Sequence, residues 1–259
     1  MYIHNLNPII FDFGILSLRW YSLAYLVGII FGWWYGKKII VFINNQYKKN
    51  CDINLFDEYI TYVIISIVVG GRLGYVLFYN LPYFLTNPVE IFFIWNGGMS
   101  FHGGLLGLIV ATIVFSKRKG VDKLVLLDVV SCVAPIGIFF GRLANFINGE
   151  LYGKPTELPW SVIFPLVDNQ PRHPSQIYEA LLEGILLFLI LNFILRKMSY
   201  KNGKCAALFL IFYSVFRIIT EFFREPDFQI GYILNNISMG SFLSFFMFGI
   251  GIAMYFKIR

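Results

Sequence analysis

Met239-Gly-Ser-Phe-Leu-Ser-Phe-Phe-Met-Phe-Gly-Ile-Gly-Ile-Ala-Met-Tyr-Phe256 runs eighteen residues without a charge, and Lys257-Ile-Arg259 closes the chain. A hydrocarbon core of roughly 30 Å takes about 17–25 helical residues to cross. The stretch therefore reads as a membrane-spanning helix. Six more stretches read the same way: Trp20–Gly36, Tyr59–Asn80, Met99–Phe115, Leu124–Leu143, Gln176–Leu195 and Cys205–Phe223. Strands of a membrane barrel would run ~10 residues in strict alternation, and the sequence has no such pattern. The expected fold is all-α: a polytopic membrane protein, one seven-transmembrane-helix bundle over residues 1–259, with a small outer loop region at about 146–175. Pro155, Pro159, Pro165, Pro171 and Pro174 make that loop an ordered, non-helical excursion rather than another span.

Composition agrees. Of 259 residues, 58% are hydrophobic and only 14% charged, and the mean hydropathy is +0.67. Soluble domains are nearer 45–50% apolar and about 25% charged, so neither a soluble enzyme nor a disordered chain is expected. The net charge of +6 would suggest nucleic acid in a soluble protein. Here the basic residues lie between apolar runs and report orientation instead, so no nucleic-acid partner is expected. Lys37, Lys38, Lys48 and Lys49, then Lys117, Arg118, Lys119 and Lys123, then Arg196, Lys197, Lys201 and Lys204, then Lys257 and Arg259, make fourteen of the 21 basic residues. All fall on one side if seven helices alternate. The opposite loops, 81–98, 146–175 and 224–238, carry only Lys154, Arg172 and Arg224. The positive-inside rule puts the C-terminus in the cytoplasm and the N-terminus outside. Cys51, Cys132 and Cys205 form no CxxC and no metal-ligand spacing, so neither a disulfide framework nor a metal site is expected. The first apolar run has no basic segment before it and no cleavage motif after it, so no cleavable signal peptide is expected.

Charged groups at membrane depth cost ~2.5–3.5 kcal/mol each on translocon scales and are kept when paired or functional. This chain has several, toward the outer half. Arg72 follows Gly70-Gly71, where small residues admit a backbone or a ligand; a structural arginine paired with a buried carboxylate is the other reading. His102, in Gly97-Gly98-Met99-Ser100-Phe101-His102-Gly103-Gly104, is expected about one turn inside its helix. The glycines around it leave room for a substrate, and an imidazole can accept a proton at neutral pH; a satisfied packing group on an apolar helix is the other reading. Arg142 and Asn145 share a helix face, and Asn148 and Glu150 follow. An arginine fork with amide donors suits phosphate oxygens, and a capped helix end with a snorkelling arginine is the bland alternative. Arg217, Glu221 and Arg224 form one stripe at i, i+4 and i+7, with two arginines to one carboxylate and hence a positive excess. Glu225 lies off it. Gln176, Glu179 and Glu183 form a second stripe, which reads as structural balance for the arginines. Arg172 and His173 stand just before the fifth span. Tyr21 starts the first span as an aromatic-belt or site residue, and His4 is expected to be uninvolved. The sum is a site for an anion with apolar tails: a phospholipid head group, or an anion moving through a pore. No serine-hydrolase or Walker pattern is present.

Gly141-Arg-Leu-Ala-Asn-Phe-Ile-Asn-Gly-Glu150, with Gly153 three on, resembles the signature of bacterial prolipoprotein diacylglyceryl transferases. So do His102-Gly-Gly-Leu-Leu-Gly107, Gly70-Gly-Arg-Leu-Gly-Tyr75, Arg172-His-Pro-Ser-Gln-Ile-Tyr-Glu179 and Phe216-Arg-Ile-Ile-Thr-Glu-Phe-Phe-Arg-Glu-Pro226, in family order from Trp20-Tyr21 to Met239-Gly240. The resemblance implies a multi-pass enzyme of the bacterial inner (plasma) membrane, needing no cofactor and no metal, with a periplasmic N-terminus. It implies that diacylglyceryl passes from phosphatidylglycerol to the lipobox cysteine thiol of a preprolipoprotein signal peptide within the bilayer, giving a thioether and glycerol 1-phosphate. Tyr21, His102, Arg142, Asn145, Gly153, Arg217 and Glu221 carry over as family residues. Combined with the stripes above, His102, Arg142, Arg217 and Glu221 are expected to be catalytic. Tyr21, Arg72, Asn145, Asn148, Glu150, Gly153 and Arg224 are expected to bind substrate. The segment between Gly153 and Arg172 is shorter than in long members of the family, so the periplasmic region is reduced.

Overall fold

A computed structural model describes all residues except 13, 15–16, 50, 95–96, 199, 227–230, 234–236 and 259. Short strands β1 (Tyr2–Ile3), β2 (Ile9–Asp12) and β3 (Ser17–Arg19) precede helices α1 (Trp20–Tyr47) and α2 (Ile53–Phe78). Then come α3 (Leu81–Thr86), a 3-10 turn at Pro88–Phe92, α4 (Phe101–Lys119) and α5 (Lys123–Asn148). Strands β4 (Val162–Ile163) and β5 (Pro171–Arg172) occupy the next connection. Helix α6 (Ser175–Lys197) widens to a π-helical turn at Ala180–Leu186. Helix α7 (Lys204–Glu221), a two-strand ribbon of β6 (Tyr232–Ile233) and β7 (Ile237–Ser238), and α8 (Met239–Ile258) complete the described chain.

The protein is mostly helical, and among the described residues six helices are long and apolar enough to cross a membrane: α1, α2, α4, α5, α6 and α8. The remaining expected span coincides with α7, whose 18 residues include Lys204, Arg217 and Glu221. Several helix ends differ from the sequence reading: α2 starts at Ile53 and not Tyr59, α4 ends at Lys119 and not Phe115, α5 ends at Asn148 and not Leu143, and two more bear on the site. Helix α1 runs through Lys37 and Lys38 to Tyr47 instead of stopping at Gly36, because Lys37 pairs with Asp57 at 2.7 Å and Ile39, Ile40 and Ile43 are buried. The third span starts at Phe101, where Ser100 caps it by accepting a hydrogen bond from the Gly103 N–H. His102 is therefore the second residue of its helix and not a turn inside it.

The chain divides into two compact units, Lys37–Leu127 and Met1–Gly36 with Asp128–Arg259. Within Lys37–Leu127, α2 and α4 pack through glycine. A Cβ on Gly103 would stand 2.9 Å from the Gly74 Cα and closer still to the Gly70 carbonyl oxygen. Small residues let helix backbones approach where apolar burial gives no driving force. Farther along, the same pair closes on Tyr59 and Phe115, with a buried Tyr59–Thr112 hydroxyl bond of 2.8 Å.

In the other unit, β1 pairs parallel with β4, and β4 antiparallel with β5. Residues 149–174 thus form an ordered, strand-bearing connection. Asp128 on α5 is fully buried and accepts from the Gly203 and Ala206 N–H groups at 2.7 and 2.9 Å. One helix thereby caps the exposed amides of another, which satisfies donors that α7 cannot satisfy itself. The Cys132 and Cys205 thiols, far apart in sequence, hydrogen-bond each other and remain free.

Candidate functional site

Helices α5, α6 and α7 and the residues just past α7 bring six ionisable side chains together within the second unit. Glu179 and Glu183 on α6 have no solvent exposure at all. Arg142 on α5 sets Nε 3.1 Å from Glu179 Oε2 and Nη2 3.2 Å from Glu183 Oε2. Arg217 on α7 sets Nη1 2.7 Å from Glu179 Oε1 and Nη2 2.5 Å from Glu221 Oε1. Arg224, just past α7, lies 3.6 Å from Glu179 Oε1 and 3.5 Å from Glu221 Oε1. The Thr220 hydroxyl reaches Glu183 at 3.5 Å. Against the positive excess read from the Arg217–Arg224 stripe, three arginines here meet three carboxylates. Glu179 and Glu183 supply the balance, as the second stripe implied, and a buried charge without it would cost several kcal/mol. Gly240 on α8 closes the network: a Cβ there would stand 3.0 Å from the Glu221 carboxyl carbon and 3.3 Å from Arg217 Nε.

The end of α5 builds a second group. The Asn145 amide donates to Glu150 Oε1 at 2.8 Å and that of Asn148 at 3.2 Å. The Gln176 amide donates to the Glu150 carbonyl at 2.7 Å. The chain turns here through left-handed Gly149 and Leu151. Gly153 donates its N–H to the His173 carbonyl at 3.0 Å and bridges to Arg224. A Cβ at 153 would stand 2.7 Å from the Phe223 carbonyl, so only glycine fits this crossing. Arg172 binds that connection together through Asp168 at 2.5 Å, Glu225 at 3.2 Å and the Gly153 carbonyl at 3.0 Å. Its hydrogen bond to Asp168 holds that carboxyl below the usual carboxylate range. Desolvation, with Lys154 adding to it, pushes the His173 imidazole below its ordinary value. His4 bonds the Phe146 carbonyl and lies against Phe164. Tyr21 accepts from the Tyr25 hydroxyl at 3.2 Å, and Tyr25 lies within electrostatic reach of Arg142 and Glu150.

Arg72 and His102 belong to the Lys37–Leu127 unit. Arg72 is buried and spends its donors on backbone: Nε on Ile91, Nη1 on Gly97 and Gly98, Nη2 on Glu90 and Phe93. It meets carbonyls where the sequence reading offered a ligand or a carboxylate. The guanidinium also lies over the Phe84 ring. His102 sits in the first turn of α4, edge-on to Phe101. Its neighbour Gly103 serves the contact with α2, whereas a Cβ on Gly97 would meet nothing within 4 Å. Among the described residues, no group of three His, Cys, Asp or Glu is arranged to hold a metal ion.

The sequence reading did not place Glu179 and Glu183 among the catalytic or substrate-binding residues. Their signal was the i, i+3, i+7 stripe with Gln176, but spacing alone does not say that three arginines from elsewhere meet it.

Comparison with known proteins adds a further line. A family model for prolipoprotein diacylglyceryl transferase matches residues 8–257. A Rickettsia bellii protein named phosphatidylglycerol–prolipoprotein diacylglyceryl transferase is 52% identical over 255 residues, 98% of this chain and 95% of the relative. Proteins of the same name from Rickettsia felis and Rickettsia typhi are 50% and 49% identical, over 93% and 94% of this chain and 92% and 93% of theirs.

Proposed function

Because the chain belongs to the prolipoprotein diacylglyceryl transferase family, we propose that it transfers the diacylglyceryl group of phosphatidylglycerol to the lipobox cysteine of a preprolipoprotein. The observation that carries this reading is identity of about half over almost the whole length of both chains. The buried arginine–glutamate network supports it, because polar groups at membrane depth are retained for function.

The thiol loses its proton, its sulfur forms a bond to the glyceryl carbon, and that carbon's bond to the phosphate oxygen breaks. The leaving glycerol 1-phosphate gains one negative charge. A thiol of pKa ~8.5 reacts as the thiolate, so a base is needed, and His102 is the residue assigned to it. Arg142 and Arg217 face the growing phosphate charge in a water-poor site, where fixed charges act most strongly. Arg142 suits the role because its ion pairs run through Nε and Nη2, leaving the Nη1 edge for a phosphate oxygen. Glu221 holds Arg217. Asn145, Asn148, Glu150 and Tyr21 order the head-group end, and Gly153 and Arg224 shape its wall. Arg72 acts on the lipid only indirectly, by holding the backbone of Glu90, Ile91, Phe93, Gly97 and Gly98.

Helix α7 serves as the seventh span. Its 18 residues rise about 27 Å, near the core thickness, and Arg217 and Glu221 are neutralised by partners rather than exposed to lipid. The N-terminus then faces the periplasm and the C-terminus the cytoplasm of the inner membrane.

The test is purified protein in phosphatidylglycerol vesicles with a lipobox peptide. The peptide should gain a diacylglyceryl mass, and a Cys-to-Ser peptide should gain none. An unchanged cysteine peptide with folded enzyme overturns the reading.

A further inference from the structure

We propose that Glu179 is a positioning residue of the transfer: a carboxylate that never meets the substrate but sets the mutual orientation of the Arg142 and Arg217 guanidinium groups. The inference rests on the family reading above and goes beyond its site residues.

The two oxygens are divided between two helices. Oε1 takes Arg217 Nη1 at 2.7 Å, and Oε2 stands 3.1 Å from Arg142 Nε. Oε1 also lies 3.6 Å from Arg224 Nη1, so one carboxylate touches all three arginines. It has no solvent exposure, which denies it to a lipid or peptide. The second point on Arg142, Nη2 to Glu183, fixes the guanidinium plane together with Nε. The Arg142 contact is close but misaligned: Oε2 is buried and accepts no hydrogen bond. Catalytic contacts are often loose without substrate and tighten when it binds. Glu179 sits at the start of the π-helical turn Ala180–Leu186, an uncommon geometry that gathers at functional sites.

The test measures kcat and KM for phosphatidylglycerol, per folded enzyme, in wild type, Glu179→Gln and Glu179→Asp. Glu179→Gln keeps the shape and removes the charge. Its kcat should fall about 10²-fold, the scale of an ångström-sized misplacement of a catalytic group, with KM nearly unchanged. Glu179→Asp keeps the charge but is too short to reach both arginines. It should recover to about tenfold below wild type. A merely structural role would lower the folded yield and the melting temperature while leaving kcat per folded enzyme at the wild-type value, and that result overturns the proposal. Should the Gln chain not accumulate in membranes, the Asp chain decides: wild-type kcat there refutes the positioning role. Wild type that makes no thioether would instead refute the family reading.

Discussion

At the scale of single residues, the arginines are distinguished by how their nitrogens are used. Arg142 contacts two carboxylates through two nitrogens, and a lysine has one nitrogen to offer. Arg142→Lys should fold and insert but lose activity by about 10²-fold, because a point charge does not reproduce the planar fork. Near-normal turnover in the folded variant would place Arg142 away from the phosphate. For His102, replacement by Gln should cut the rate ~10²–10⁴-fold, the range of a lost general base. Part of the rate should return as pH climbs toward ~8.5, where thiolate forms unaided. Single-turnover rates and lipid affinity across pH check this; a defect confined to lipid binding, with no alkaline recovery, would remove His102 from the base role. His173 gives a pH effect on stability. Its folded pKa is depressed, chiefly by desolvation. The unfolded chain therefore takes up its proton first, near ~6.5, and the contribution is present above that value and lost as pH falls through the folded one. Thermal midpoints from pH 7.5 down to 5 should fall more in wild type than in His173→Gln, by a small margin because the ring is half-buried. Parallel curves would dismiss the effect.

Among the elements, the α2–α4 pair depends on absent side chains. A methyl at position 103 would meet the Gly70 and Gly74 backbone, which has no side chain to move aside. Gly103→Ala should cost about 1–3 kcal/mol, the usual cost of overpacking, read as a lower denaturation midpoint in detergent. No loss would mean that the two helices slide apart freely. The same element carries Arg72, whose five backbone contacts tie Glu90, Ile91, Phe93, Gly97 and Gly98 to α2. On α5, Asp128 supplies α7 with a cap that α7's own Gly203 has no side chain to provide. In each case an element is completed by a residue distant in sequence, which is why helix patterning alone did not reveal it.

For the whole molecule, the basic bias makes a definite forecast. If seven helices alternate across the bilayer, fourteen of the 21 Lys and Arg residues fall on one side. A cysteine placed after Met1 should label with an impermeant reagent from outside, and one at position 259 should not. Outside labelling at 259 would require α7 not to cross. The membrane class and the location of every long helix followed from the sequence, because crossing a bilayer demands about 17–25 apolar residues in a row and nothing else in a protein does. The residue types of the site were also legible, since charges at membrane depth stand out against an apolar background. Their pairing was not. Whether Arg142 meets Glu179 and Glu183, whether Arg217 retains an unbalanced charge, whether Arg72 holds a ligand or five carbonyls, and whether the glycines beside His102 make room or make contact all depend on which helix faces which. Spacing fixes a residue's angle on its own helix, while the rotation of each helix against its neighbours is set by close packing and ion pairing between segments far apart in the chain, and only the tertiary structure decides that.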